Sequence, residues 1–107
     1  MSVNIVVLTR GDTEDIRLNV GEFLTEHPGY KISFYFGIMK PDEPFETAGV
    51  RRRYELKDLE GSILHIHLDA DTTFSLEPGT YYYSIKAKSG DYVETLINRT
   101  KFVVNPS

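Results

Sequence analysis

The sequence predicts an all-β fold, and three observations support the prediction. Apolar and polar residues alternate with period two along several short stretches, as they do on strands that bury one face. Turn-forming residues separate these stretches at short intervals, and helical periodicity is weak throughout the chain. We therefore expect a single domain over residues 1–107, in which about seven or eight antiparallel strands form a β-sandwich.

The first predicted strand is apolar along its whole length, from Val3 to Leu8. The later strands alternate, and each has an apolar set that we expect to point into the core. These inward sets are Ile16, Leu18 and Val20; Ile32, Phe34, Phe36 and Ile38; Leu64, Ile66 and Leu68; and Tyr81, Tyr83, Ile85 and Ala87. The residues between them, such as Tyr82, Lys86 and Lys88, are expected to point outward.

The segments between the strands contain residues that favour turns. They are Arg10-Gly11-Asp12, Pro28-Gly29, Pro41-Asp42, Glu60-Gly61, Pro78-Gly79 and Ser89-Gly90-Asp91. Single helical turns are predicted near Val20–Glu26 and Asp71–Leu76, and the irregular stretch Lys40–Arg53 predicts a long exposed loop. Tyr81 follows Pro78-Gly79 at a strand entrance, where its hydroxyl can bond upstream backbone in a tyrosine-corner contact.

Composition narrows the functional classes. The chain has no cysteine, which excludes disulfides, thiolate metal sites and a cysteine nucleophile. No apolar run reaches the roughly 18 residues of a membrane span. The opening Met-Ser-Val-Asn lacks the features of a signal peptide, so export by that route is not expected. A net charge of -4 with interleaved signs disfavours a general nucleic-acid surface.

The tripeptide Arg10-Gly11-Asp12 allows two interpretations. It is an adhesion motif in secreted proteins, and it is also a good turn between two strands. Because no export signal is present, we interpret it as the corner of a β-hairpin.

Two groups of residues could hold a metal. His65 and His67 share one strand face, but a third ligand would have to come from His27 or an acidic residue. The carboxylates of Asp12, Glu14, Asp15, Asp69 and Asp71 lack the spacing of a dedicated calcium loop. We therefore predict turn, capping and outer-face roles for them, and no metal or cofactor. No catalytic motif is present, so neither an enzyme nor a small-molecule ligand is expected.

The basic run Arg51-Arg52-Arg53, followed by Tyr54, is the best candidate for a binding surface. Arginine and aromatic residues are enriched at protein interfaces, and the arginine fork forms paired hydrogen bonds with carboxylates. We predict that Arg51, Arg52, Arg53 and Tyr54, with Phe45 from the preceding loop, contact another protein. The alternatives are that the three arginines form a solvated strand after the acidic loop, or that they contact phosphates.

Two stretches resemble a known group of domains. "TRGDTEDIRLNV" and "ILHIHLDADTTFSLEPGTYYYSIKAKSGDYVETLINRTKFVVNPS" are similar to the opening and closing halves of small phage and prophage virion domains. The matching positions are Asp71, Thr72, Leu76, Pro78, Gly79, Tyr81, Tyr83, Ile85, Gly90, Thr95, Leu96, Phe102 and Val104. Asn98-Arg99 stands where a glycine is usual, and Asn98 tolerates a left-handed turn conformation. The group includes the immunoglobulin-like N-terminal domain of siphophage upper baseplate proteins.

The resemblance implies an immunoglobulin-like sandwich that serves as a structural component of a tailed-phage virion, in the tail, baseplate, neck or as a capsid decoration. Such a domain would contact other virion proteins and copies of itself, and would assemble in the cytoplasm of the host bacterium. The alternative is a cell-surface module that binds carbohydrate or protein, with the outward rings of Tyr35 and Tyr82 as its stacking surfaces.

Overall fold

The computed structural model describes residues 5–107, and most of them lie in β-strands. The strands are β1 (Val6–Thr9), β2 (Glu14–Asn19), β3 (Ser33–Met39), β4 (Val50–Glu55), β5 (Ile63–Leu68), β6 (Gly79–Ser89) and β7 (Tyr92–Asn105). The helices are short: α1 (Gly21–Glu26), α2 (Ala70–Phe74) and the 3₁₀ turns Phe45–Thr47 and Leu56–Asp58. The prediction of a β fold with about seven strands and two single helical turns is confirmed at this level. Within the described residues, no helix is long and apolar enough to cross a membrane.

The strands form one large and one small sheet. The five-stranded sheet has the order β1-β7-β6-β3-β4, and β2 pairs with β5 in a two-stranded sheet. β1 runs parallel to β7, with Val6 opposite Phe102, while the other pairs are antiparallel. The prediction of a wholly antiparallel fold is therefore wrong at β1. Period-two alternation does not reveal this, because it is the same in parallel and antiparallel strands.

The turn after β1 carries the chain from the large sheet to the small one. The backbone N–H of Asp12 donates to the carbonyl of Thr9 at 2.9 Å, and Gly11 has φ of 92°, a left-handed value that favours glycine. Because β1 and β2 belong to different sheets, the interpretation of Arg10-Gly11-Asp12 as a hairpin corner is wrong. It is a turn, as expected, but one that connects two layers. Val3 and Asn4, in the predicted first strand, lie outside the described residues.

The predicted loop Lys40–Arg53 is partly a strand. From Val50 onward the chain forms β4, which lies antiparallel beside β3 at the edge of the large sheet. The loop prediction was wrong there because three consecutive arginines hide the alternation that Val50, buried at 8% exposure, begins. The remaining loop packs against β7, where the guanidinium of Arg99 donates to the carbonyls of Glu43 and Pro41 at 2.9 and 2.7 Å.

A single hydrophobic cluster joins the two sheets. It contains the inward residues of both, including Leu64, Ile66 and Leu68 from β5, all fully buried. Aromatic rings stack through its centre: Phe36 lies 5.9 Å from Tyr83, and Tyr83 lies 6.4 Å from Phe102, between ring centroids. Full burial of each such side chain stabilises the fold by roughly 1.5–3 kcal/mol. The packing of one sheet on the other therefore supplies the rigid support for both outer surfaces.

An irregularity in β7 occurs at the position where the resemblance expects glycine. The register between β6 and β7 shifts between Tyr83 and Ile85, so extra residues of β7 bulge outward. Arg99, with φ of 33°, takes the left-handed conformation that was expected of Asn98, and its N–H donates to the hydroxyl of Ser84 at 2.9 Å. The bulge therefore replaces a turn.

Two side chains form hydrogen bonds with the backbone of the connection from β5 to β6. Asp69 begins α2 and accepts a hydrogen bond from the N–H of Thr72 at 2.8 Å, which confirms its predicted capping role. The hydroxyl of Tyr81 donates to the carbonyl of Glu77 at 2.8 Å. The predicted tyrosine contact at the entrance of β6 is thus present.

Candidate functional site

The outer surface of the five-stranded sheet combines cations and aromatic rings. We call it the basic–aromatic face, and it consists of Tyr35, Phe45, Arg51, Arg53, Tyr82, Lys86, Lys88 and Lys101. Its strand residues occupy positions that alternate with the core residues of the same strands, and they are exposed or half-buried. The sequence therefore presents this surface because each strand must bury its other side.

The strand register places these side chains in rows across the sheet. Tyr35 on β3 lies between Arg53 on β4 and Lys86 on β6. Gly37, two residues later, leaves space above the sheet, and a Cβ atom there would lie 3.0 Å from the ring of Phe45. Because the position has no side chain, the ring of Phe45 packs directly over the strand. Phe45 therefore joins the face although it belongs to the loop before β4.

Each aromatic ring of the face has a cation against it. The Nζ atom of Lys88 lies 4.7 Å from the ring centroid of Tyr35, and the guanidinium carbon of Arg53 lies 5.8 Å from it. The Nζ atom of Lys86 lies 4.9 Å from the centroid of Phe45. At the border of the face, the guanidinium carbon of Arg99 lies 5.4 Å from the ring centroid of Tyr82. These cation–π contacts hold the cations in place without neutralising their charge.

Most of these cations lack a carboxylate partner. Arg53 pairs with Glu55 at 2.8 Å, and Arg51 donates to the backbone carbonyl of Glu46 at 2.9 Å. Among residues 5–107, no carboxylate forms an ion pair with Arg51, Lys86, Lys88 or Lys101. A chain whose net charge is -4 therefore concentrates unpaired positive charge on one sheet face.

A shallow cavity of about 170 Å³ lies within this face. Its walls include the rings of Tyr35 and Phe45, and the charged residues Glu46, Arg51 and Lys88. These walls suit an anionic side chain whose carbon stem contacts the rings and whose carboxylate meets Arg51 or Lys88 at a distance from Glu46.

The predicted contact residues divide between two sides of β4. Phe45, Arg51 and Arg53 lie on the basic–aromatic face. Arg52 and Tyr54 alternate to the other side, where Arg52 donates to the hydroxyl of Thr72 at 3.1 Å. Burial raises the pKa of Tyr54. A partner contact at all five residues stays a prediction, but strand alternation does not present them as one patch.

β6 and β7 contribute residues to this face that were not among the predicted contact residues. Lys86, Lys88 and Tyr82 were predicted to point outward, and they do, yet nothing in the sequence places β6 beside β3. Lys101, opposite Tyr82 on β7, was missed. The alternation of "TYYYSIKAK" was the available signal, because its outward set is aromatic and basic.

A second cluster of charged groups lies on the outer face of the two-stranded sheet. We call Asp15, Glu60, His65 and His67 the acid–histidine cluster. The Oδ1 atom of Asp15 lies 2.7 Å from Nε2 of His65 and 2.8 Å from Nδ1 of His67. The Nδ1 atom of His65 lies 3.0 Å from a carboxylate oxygen of Glu60. Hydrogen bonds to Glu60 and Asp15 raise the pKa of His65, and those to His67 and His65 lower the pKa of Asp15.

The remaining metal candidates lie apart. The Nδ1 atom of His27 is 2.8 Å from the carbonyl of Phe23, and its Nε2 atom is 2.9 Å from the hydroxyl of Tyr92, so both ring nitrogens are occupied away from His65. Within residues 5–107, no group of three or more histidine or carboxylate residues has a geometry that could hold a metal ion. The absence of a metal or cofactor stays a prediction.

The arginine of Arg10-Gly11-Asp12 folds back on the protein. Its Nε donates to the carbonyl of Phe74 at 2.8 Å, and its guanidinium carbon lies 4.4 Å from the ring centroid of Phe74. A weaker contact of 3.7 Å joins it to Glu77. The side chain thus fastens the turn to α2, which supports a structural role over an adhesive one.

Sequence comparison with known proteins assigns this chain to no family. No protein-family model matches the chain, and a search of curated proteins finds no match.

Proposed function

We propose that the domain is an immunoglobulin-like sandwich and a non-enzymatic structural component of a tailed-phage virion. The strand order supports the fold. In the immunoglobulin plan, strands B and E share one sheet, and C, F and G with an added C′ share the other. The pair β2-β5 and the order β4-β3-β6-β7 correspond to B-E and C′-C-F-G. The Tyr81 contact also lies at the start of the F-equivalent strand, where the plan has its tyrosine corner.

An aromatic contact takes the place of the inter-sheet disulfide in this proposal. The plan has a cysteine two residues after the corner tyrosine, and here that position is Tyr83. Tyr83 is 1% exposed and packs against Phe36 and Phe102. Large buried rings stabilise a sandwich without any requirement for an oxidising compartment, which agrees with assembly inside a cell.

The observation that carries the functional proposal is the basic–aromatic face. A partly apolar surface with tyrosine, phenylalanine and arginine has the composition of a protein interface. Its rigid sheet lowers the entropy lost on docking, because the cations are already held against rings. Repetition of such a contact in a symmetric particle would multiply a modest affinity into firm attachment. The partners we propose are other virion proteins and copies of this chain.

The carbohydrate-binding alternative has less support. Sugar stacking needs an open aromatic ring, and Tyr35 and Tyr82 were the candidates. Cations lie against both rings, at 4.7 Å for Lys88 on Tyr35 and 5.4 Å for Arg99 on Tyr82. A sugar would first have to displace them.

The direct test is the protein content of particles. Tailed particles induced from the organism that encodes the chain would be purified by density gradient and their proteins quantified by mass spectrometry. We expect the chain in the particle fraction at a fixed ratio to the tail or head proteins. Light scattering of the purified chain over a concentration series would then show whether it forms a ring-sized oligomer alone.

Two results would count against the proposal. If the chain is absent from intact particles while other structural proteins of the same particle are present, a virion role is excluded. If its amount varies between preparations and falls with each wash, it is a contaminant. A monomer in light scattering would remove self-assembly but leave attachment to a different virion protein.

A further inference from the structure

We infer that the basic–aromatic face recognises an acidic, extended segment of a partner protein, which lies along the free edge of β4 and places its carboxylates over the sheet. The inference rests on the proposed function, since it names the chemistry of the partner at the same face. Four observations support it: the unpaired cations, the rings they cover, the exposed edge of β4 and the cavity beside Phe45.

The unpaired cations specify an anionic partner. Arg51, Lys86 and Lys88 have no carboxylate within ion-pair distance among residues 5–107, and Arg53 has only Glu55, at the end of β4. Arg51, Lys86 and Lys88 are held by a backbone carbonyl or a ring rather than by opposite charge. A carboxylate that approaches these three cations therefore gains attraction without first breaking an ion pair, whereas at Arg53 it competes with Glu55.

The rings specify a protein segment rather than a nucleic acid. Single-stranded nucleic acids bind to sheets by stacking bases on open aromatic rings. Here cations lie against Tyr35, Phe45 and Tyr82, so a base would have to compete with them for the rings. The net charge of -4 also opposes a long phosphate polymer, whereas a short acidic segment meets only the local positive surface.

The edge of β4 specifies an extended conformation. β4 is the last strand of the sheet and pairs only with β3 among the described strands, so its other side is where a further strand would be added. The carbonyl of Arg51 accepts a hydrogen bond from Nη1 of Arg52 at 2.9 Å. The N–H of Glu55 donates to Asp58 at 2.8 Å. A bound strand would replace these two contacts where it meets them. Arg51 and Arg53 are two residues apart and project from the same side. A strand with acidic residues at every second position would place its carboxylates directly across from them.

The cavity of about 170 Å³ adds a position for one side chain. It lies beside Arg51 and is walled by Tyr35 and Phe45, with Glu46 also in its lining. One glutamate of the bound strand could place its methylene groups between these rings and its carboxylate near Arg51 or Lys88. The face therefore favours alternating acidic residues over a run of acidic residues on a helix.

The test uses a fluorescent peptide, Thr-Glu-Thr-Glu-Thr-Glu, which has the six-residue length of β4. Its binding to the full chain is measured by anisotropy. We expect the double variant Arg51→Glu/Arg53→Glu to bind at least about tenfold more weakly. Binding should also weaken as salt rises from about 0.1 M to 1 M, because the Debye length falls from roughly 10 Å to 3 Å.

The controls separate the position of a charge change from its size. Arg17→Glu reverses one charge on the outer face of the two-stranded sheet, so it is compared with the single variant Arg51→Glu and should leave binding within about twofold of the parent. A peptide with lysine in place of glutamate should bind the double variant better than the parent chain. Circular dichroism confirms that each variant is folded, and Lys88→Glu serves as the alternative if the double variant is not.

Three outcomes would overturn the inference. They are failure of the acidic peptide to bind the parent chain, equal loss of binding in Arg17→Glu, and tighter binding of a single-stranded or duplex DNA oligonucleotide than of the peptide. None of these affects the particle content described above. A chain that is present in particles but fails here would retain the virion role and lose only the acidic partner.

Discussion

The two charged clusters on the outer faces of this protein differ in how their charges are paired. On the basic–aromatic face, cations are held by rings, and most have no carboxylate partner among the described residues. On the other sheet, the groups of the acid–histidine cluster are partners of one another. Asp15 is hydrogen-bonded to both imidazoles, and Glu60 is hydrogen-bonded to Nδ1 of His65. The same core supports both faces.

The difference is the reason why we propose a partner for the basic–aromatic face. Where charges are already paired, a partner must compensate for the ion pairs and hydrogen bonds that it displaces. Where cations are held in place but have no carboxylate, a partner can supply the opposite charge without displacing one. The presence of charged residues is therefore less informative than whether their opposite charges lie within the same chain.

The largest expected effect comes from the core below the faces. Phe36→Ala removes a ring that is 1% exposed and packs on Tyr83, and we expect a loss of about 3–5 kcal/mol in the free energy of unfolding. Arg53→Ala, on the basic–aromatic face, removes a side chain that is 61% exposed. It should change the free energy of unfolding by less than about 0.5 kcal/mol. Urea denaturation measures both. Comparable losses would mean that the basic–aromatic face is a structural element of the fold rather than a surface kept for a partner.

A smaller effect is expected at Gly37. A Cβ atom there would lie 3.0 Å from the Phe45 ring and 3.1 Å from Cβ of Ala48, so Gly37→Ala must displace the ring. We expect a loss of about 1–3 kcal/mol in the free energy of unfolding. The peptide affinity should fall as well, because the cavity wall moves.

A double-mutant cycle isolates this contact. Gly37→Ala/Phe45→Ala should be more stable than the sum of the single changes by about 0.5–3 kcal/mol, since the truncated side chain no longer collides. Strict additivity would show that Phe45 does not rest on Gly37. The face would then lack its loop-derived ring.

Tyr81→Phe should lower the free energy of unfolding by a smaller amount. The change removes the hydroxyl that donates to Glu77 at the connection between the two sheets, and the ring remains. We expect a loss of about 0.5–1.5 kcal/mol in the free energy of unfolding, with no change in peptide binding. Tyr82→Phe, on the next residue, is the matched control and should be near neutral. If the two substitutions are equal in effect, the corner hydrogen bond contributes nothing measurable.

Local pattern was sufficient for the strands whose inner side is apolar. Alternation identified β3, β5 and β6 because their inward residues are large and continuous, and Pro78-Gly79 indicated the turn before Tyr81. It failed at β4, where Arg51, Arg52 and Arg53 give both sides of the strand the same residue type. A strand at the edge of a sheet is the one in which such a pattern is tolerated, since only part of it is buried.

The candidate site required information that a single sequence does not contain. Phe45, Arg51 and Arg53 were selected from composition, but Lys86 joins them only because β6 pairs with β3 on the side opposite β4. Asp15 was likewise grouped with other carboxylates, whereas its partners are the imidazoles of His65 and His67, fifty and fifty-two residues away. Pairing between distant strands determines both faces, and period-two alternation says nothing about which strands pair.

The smallest effect is the pH dependence that the acid–histidine cluster gives to stability. The pKa of His65 is raised above its ordinary value of 6.5, so the stability it contributes is complete below that value and is lost as pH rises through its folded pKa. The pKa of Asp15 is lowered below 3.8, so its contribution is complete above that value and is lost as pH falls through its folded pKa. Both contribute fully between about pH 4 and pH 6.5.

Glu60→Gln should therefore reduce the loss of stability between about pH 6 and pH 8, because the hydrogen bond to Glu60 is the largest cause of the raised pKa of His65. Thermal unfolding at a series of pH values measures the slope, and NMR titration of the imidazole protons measures the pKa directly. Glu22→Gln, an exposed carboxylate in α1, is the control and should keep the parent slope. An unchanged slope in Glu60→Gln would mean that the hydrogen bond between Glu60 and His65 does not form in solution. The acid–histidine cluster would then be no better paired than the basic–aromatic face.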